Sequence, residues 1–156
     1  MSTTFADHAS RVGSPDSIRV GETMHRGLVT CRPETSLYTV ARIMAAHRIH
    51  AVVVTPADGT EDWTLVSDLD LAAAFGENAS EALTAADIAS TPNLFVAPDD
   101  TVARAAQLMH EYGTHHLIVL DRHRDRPVGV VSTLDIADVI AELQPPHVTD
   151  SKERGG

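Results

Sequence analysis

Displaced by 65 residues, the chain aligns with itself without a gap, Val29–Phe75 lying on Leu94–Ile140. Pro33/Pro98, Ala41/Ala106, Met44/Met109, His50/His115, Val54/Val119, Val66/Val131, Ser67/Ser132, Leu69/Leu134, Asp70/Asp135 and Ala72/Ala137 are identical pairs. Other pairs exchange one aliphatic for another, as in Leu37/Val102, Ile43/Leu108, Val53/Ile118 and Leu71/Ile136. An ungapped register of this kind confines the fold to two copies of one supersecondary unit.

Each copy has a physical reading. "GLVTCRP" is a short β-type segment ending at Pro33, which cannot donate to a ladder. Leu37, Val40, Ala41, Met44 and Ala45 recur at helical spacing behind Ser/Thr cap candidates. "AVVV" fits a buried strand, the Pro and Asp-Gly of "TPADGTED" turn the chain, and "WTLV" returns. "SDLDLAAAF" starts a second helix, so the copy reads β-α-β-β-α. The second copy has a strand at Leu94–Val96 and a helix from about Thr101 to Tyr112, with Val102, Ala105, Ala106 and Met109 on one face and Gly113 closing it. Strands at Leu117–Leu120 and Pro127–Val131 follow, and Ser132 caps the last helix. "ALTAADIA" links the copies as a short helix, matched by "SIRVGETM" before the first.

The expected fold class is therefore mixed α+β, two β-α-β-β-α repeats packed with pseudo-twofold symmetry. Repeat 1 spans 18–78 and repeat 2 spans 79–144, between flexible segments at 1–17 and 145–156. A unit of roughly 60 residues buries too little surface alone, so the pair is the expected folding unit.

A formal net charge of −10 opposes binding to nucleic acid or to an anionic membrane. It leaves room for a small anionic ligand held by a few local donors. No apolar run approaches the ~18 residues of a membrane span, and the first ten residues lack a basic and an apolar region. The expected location is cytoplasmic. Cys31, the one cysteine, excludes an intrachain disulfide and reads as a small core residue. Nine histidines raise a metal-sensor alternative, but they form no His-x-x-x-His on a clear helical face and have no Cys partner. No metal ligand is assigned. No P-loop, dinucleotide fingerprint or nucleophile with a base is present, so no catalysis is expected.

The Ser-x-x-Asp motifs, Ser67 to Asp70 and Ser132 to Asp135, read in two ways. As capping boxes they close the first turn of a helix. As sites, each carboxylate accepts from two vicinal hydroxyls while the helix start attracts an anion. The second copy carries Gly129, which allows close backbone approach, and the hydroxyl of Thr133. The first has Asp68 at the place of Thr133, a carboxylate that repels phosphate. The expectation is two unequal sites, with that of Asp135 the stronger.

This ordered set of motifs, present twice, resembles a tandem cystathionine-β-synthase (CBS) domain pair, or Bateman module, over about Ser17 to Leu143. The late-strand signature, Gly, two apolar residues, Ser or Thr, two variable residues and Asp, is complete at Gly129–Asp135. It recurs at Thr64–Asp70 with Thr64 where Gly is usual. "ETM" before Val29-x-x-x-Pro33 and "DIA" before "LFVAP" look like the family's entry signature.

The resemblance implies a stand-alone regulatory module that binds AMP, ADP, ATP or S-adenosylmethionine in clefts between the repeats. It would pass ligand state to an effector protein in trans. Ribose roles fall to Asp70 and Asp135, and phosphate roles to Ser67, Ser132, Thr133, His50, His115 and His116. Base contacts fall near Val29, Thr30, Leu94 and Thr114. Some members carry a His-Arg pair before the middle strand. Here those positions read His50-Ala51 and His115-His116, which argues against tight polyphosphate binding, because unperturbed His is mostly neutral at pH 7. Helix faces at Ala72–Phe75 and Ala137–Ile140 point to a homodimer. The chief competing expectation is a dimeric scaffold that binds no nucleotide.

Overall fold

Ser36 and Thr101 begin the two longest helices in the same way: each side-chain oxygen accepts an N–H three residues on, from Thr39 and Arg104. The computed structural model describes residues 15–58, 60–77, 81–89 and 94–143. Helix α1 (Val20–Thr23) and strand β1 (His25–Arg26) lead into the first repeat. It runs β2 (Thr30–Cys31), α2 (Leu37–His47), β3 (Ala51–Val54), β4 (Thr64–Ser67) and α3 (Asp68–Gly76). Helix α4 (Ala85–Ile88) leads into the second repeat: β5 (Phe95–Val96), α5 (Val102–Tyr112), β6 (His116–Asp121), β7 (Arg126–Ser132) and α6 (Thr133–Glu142). The expected β-α-β-β-α order is present in both. The expected flexible ends lie outside the described residues, save for a 3-10 turn at Pro15–Ser17.

The sheets keep the sequence offset. β2 pairs in parallel with β3, Thr30 opposite Val53, as β5 does with β6, Phe95 opposite Ile118. Antiparallel β3–β4 sets Ala51 opposite Ser67, and β6–β7 sets His116 opposite Ser132. β1 adds to the edge of β7, His25 opposite Val130 and Arg26 opposite Gly129, so among the described residues the sheets have three and four strands. The sequence reading assigned no element to His25–Arg26, which falls between the linking helix read in "SIRVGETM" and the strand read in "GLVTCRP". The close approach that Gly129 permits is therefore that of β1: a Cβ there would stand 2.5 Å from the His25 carbonyl oxygen.

Two apolar clusters form the core. Cys31, Val40, Met44, Val52, Val54 and Val66 make the first, and Val96, Ala105, Leu108, Met109, Leu117, Val119 and Val131 the second. Each is completed from the other side: Val20 of α1 enters the second cluster and Ala85 of α4 the first. The docking bonds repeat in register. Val20 N–H donates to Asp100 and Gly21 N–H to Pro98, while Ala85 N–H donates to Thr35 and Ala86 N–H to Pro33. This exchange ties together two units that are each too small to bury a core. On α2, Ala45 is exposed and Ile43 packs inward in its place. Burial pushes the Cys31 thiol up, against a lowering hydrogen bond with Thr35, which leaves it an inert core residue. No described helix is long and apolar enough to cross a membrane.

Candidate functional site

Two clefts open between the repeats, related by the same pseudo-symmetry. The first, about 240 Å³, lies between the Arg48–Ala51 segment of repeat 1 and Val130, Ser132 and Leu134 of repeat 2. Gly27, Leu28 and Val29 line it beside His25. The second, about 200 Å³, lies between Gly113–His116 of repeat 2 and Leu65–Asp70 of repeat 1. Both lie below the roughly 300–1,000 Å³ usual for ligand sites, and match a mononucleotide better than a dinucleotide.

In the first cleft α6 begins with a capping box. Ser132 Oγ accepts the Asp135 N–H at 3.3 Å, while Asp135 Oδ2 accepts the Ser132 N–H at 2.7 Å and its hydroxyl at 3.1 Å. Asp135 is only 2% exposed. Its other oxygen, Oδ1, lies 2.9 Å from Nε2 of His25, an exposed imidazole carried in by β1. The carboxylate sits behind Ser132 and His25, both of which line the cleft. The basic residues lining the cleft are Arg48, His25, His50 and His116. Arg48 caps α2 in the left-handed conformation at φ 53°, where the second repeat uses Gly113 at φ 63°. A side chain in that conformation costs about 1 kcal/mol or more.

The second cleft repeats the capping box but not its charge. Ser67 N–H donates to Asp70 Oδ2 at 2.8 Å, and Asp70 N–H to Ser67 Oγ at 3.2 Å. Asp70 is half-buried and lines the cleft directly, with Asp68 beside it. Desolvation works to raise the Asp68 carboxyl. The hydrogen bonds from His50 and from the Leu69 N–H, with the attraction of His50 and His116, outweigh it and hold Asp68 below the usual range.

His116 lines both clefts. Burial presses its pKa down; Asp68 opposes, His115 and His50 add to the lowering, and Asp135 opposes. The folded chain thus resists protonating it, and unfolding below the unfolded-state value of about 6.5 takes up a proton. The stability this site contributes is complete above that value and is lost as pH falls through the lower folded one. The melting temperature is expected to hold above pH 7 and to decline as pH falls below about 6.5. His116→Ala, which installs the residue found at Ala51, should flatten that slope in calorimetry across the range; an unchanged slope would place its origin elsewhere.

The comparisons with known proteins follow this geometry. The profile of the CBS domain matches residues 20–74 and again 85–142. The chain belongs to the CBS domain family. An uncharacterized protein of Methanopyrus kandleri is 30% identical over 126 residues, 79% of this chain; the match spans 63% of the relative's length. A CBS domain protein of Pyrobaculum aerophilum solved with AMP is 27% identical, with a TM-score of 0.71 over 81% of this chain and 98% of that one. A CBS domain pair solved with 5′-methylthioadenosine and S-adenosyl-L-methionine shares the fold at 22% identity, TM-score 0.71, covering 81% and 98% of the two chains.

Within this CBS pair the residues singled out from sequence divide among several places. Val29, His50, His116 and Ser132 meet at the first cleft. Ser67, Asp70, Thr114, His115 and His116 meet at the second. Thr133 lines neither; it faces a groove shared with Ala106, Met109 and Ile136. Thr30 lies outside the lining of both clefts, and Leu94 packs against the second core cluster. Sequence reasoning missed His25 and Arg48. The signal for Arg48 was present, a basic residue at the helix end where the other repeat has Gly113. Among the described residues no cluster of three His, Cys, Asp or Glu is arranged to hold a metal ion.

Proposed function

We propose that this CBS pair is a regulatory module binding an adenosine mononucleotide in the first cleft. The observation that carries this reading is the sorting of basic and acidic side chains: Arg48, His50, His25 and His116 line one cleft with Ser132 at the start of α6, and among the described residues no carboxylate lines it. The helix start and the Arg48 guanidinium favour phosphate, and Asp135 accepts the ribose hydroxyls once one of them displaces His25 from Oδ1. The strained backbone of Arg48 is consistent with a ligand role for its guanidinium. The AMP-bound Pyrobaculum relative supports the ligand class. Output passes to an effector in trans, and no catalytic role is assigned.

A second copy of the chain fits the helix faces. Leu69 and Leu134, 61% and 59% exposed, and Phe75 and Ile140, 73% and 62% exposed, occupy equivalent places on α3 and α6. Four large apolar side chains in symmetric positions suit a homodimer.

Thermal shift with AMP, ADP, ATP, S-adenosylmethionine and NAD tests the ligand. AMP at ~100 times its Kd is expected to add about 2.7 kcal/mol. ATP should add less at equal concentration, and NAD nothing, for want of volume. One observation favours the rival scaffold reading: both oxygens of Asp135 already have protein partners. No shift with any of the five ligands would establish that reading instead.

A further inference from the structure

His50 and Asp68 are bonded to each other yet face different clefts. Nδ1 of His50 lies 2.8 Å from Asp68 Oδ2, and the Asp68 N–H donates to the His50 carbonyl at 2.8 Å. The second Asp68 oxygen accepts the Leu69 N–H at 2.9 Å. His50 lines the first cleft and Asp68 the second. The equivalent junction in repeat 2 keeps the backbone bond, Thr133 N–H to the His115 carbonyl at 3.0 Å. Thr133 brings no carboxylate to it. Only one of the two symmetric junctions is therefore charged.

We propose that Asp68 is a positioning and specificity residue for both clefts at once: it orients His50 toward a phosphate in the first and excludes phosphate from the second. The inference rests on the nucleotide-binding reading above. With Nδ1 held by Asp68, Nε2 is the nitrogen left for a ligand. When His50 carries both ring protons, a phosphate oxygen in the first cleft accepts Nε2–H while Nδ1–H stays on the carboxylate, and both bonds are then charge-assisted. In the second cleft the same carboxylate stands beside Asp70 at the start of α3, where the helix end would otherwise draw an anion. The fold offers two clefts, and the chain takes one AMP.

Titration calorimetry with AMP on the wild type, Asp68→Asn and Asp68→Thr tests this. The Asp68 side chain is 55% exposed, so both variants are expected to fold. The wild type should bind one AMP per chain. Asp68→Asn keeps an acceptor for His50 and removes the charge; it should bind two, the first within about threefold of wild type. Asp68→Thr copies repeat 2 and should also bind two, the first weakened about tenfold, the scale of one charge-assisted hydrogen bond. A purely structural role for Asp68 would weaken binding in both variants without creating a second site. Two equal AMP sites in the wild type would overturn the proposal. So would one site of unchanged affinity in both variants, which leaves the nucleotide reading standing. A wild type that binds no AMP removes that reading and this inference with it.

Discussion

Asp135→Ala is expected to weaken AMP binding at least a hundredfold and to cost about 2 kcal/mol of stability. The two effects have separate causes. Ribose hydroxyls donating to a carboxylate are worth roughly 1.5–3 kcal/mol each, and about 2.7 kcal/mol is a hundredfold. The stability loss comes from the folded chain itself. Oδ2 holds the N–H and hydroxyl of Ser132, and Oδ1 meets His25. Alanine removes a carboxylate that is 2% exposed, leaves the N–H of half-buried Ser132 unmet and removes the reciprocal half of the cap. Asp70→Ala removes the same half-cap at a more open position and should cost only about 1 kcal/mol. Asp135→Asn separates the causes, because its amide oxygen can still accept from Ser132. It should retain most of the stability and still lose more than tenfold in AMP affinity. Urea unfolding and calorimetry measure both quantities. Full AMP affinity in a folded Asp135→Asn variant would remove the carboxylate from the ribose.

The repeat made the fold legible because its information is local. Ser36 and Thr101 sit directly before the apolar periodicity begins, Ser67 and Ser132 one residue further back, and all four cap helices. Gly113 ends α5 in the left-handed conformation, as a glycine there should. What was not legible depends on distance along the chain. The symmetry of the sequence does not say which core α1 and α4 enter, and each enters the core of the repeat that does not follow it. Strand β1 has two residues, too few to show alternation. Its consequence for the site is large. Asp135 was read as an open ribose ligand, whereas His25, far away in sequence, covers it and leaves Asp70 the more accessible of the pair. Thr133 follows the cap, and the helical turn carries it out of the cleft that Ser132 lines.

Gly129→Val is expected to cost about 3 kcal/mol, and the loss should begin at β1. The added Cβ would stand 2.5 Å from the carbonyl oxygen of His25 and 3.2 Å from Sδ of Met24. The sulfur can swing aside on a flexible side chain. The carbonyl cannot, because it belongs to a strand paired with β7 at this very residue, Arg26 opposite Gly129. Overpacking alone costs about 1–3 kcal/mol. Displacing β1 also draws His25 off Asp135 and disturbs Met24, which packs against the second core cluster beside Val20. The cost therefore falls at the upper end. Thr64, the counterpart of Gly129 in β4, already bears a branched side chain, and Thr64→Val should stay within about 1 kcal/mol. Hydrogen exchange provides the local readout: amides of β1 should lose protection in Gly129→Val, while those of β3 keep theirs. Equal loss in both sheets would mean that the two cores yield together, and that β1 is not the element for which position 129 must be glycine.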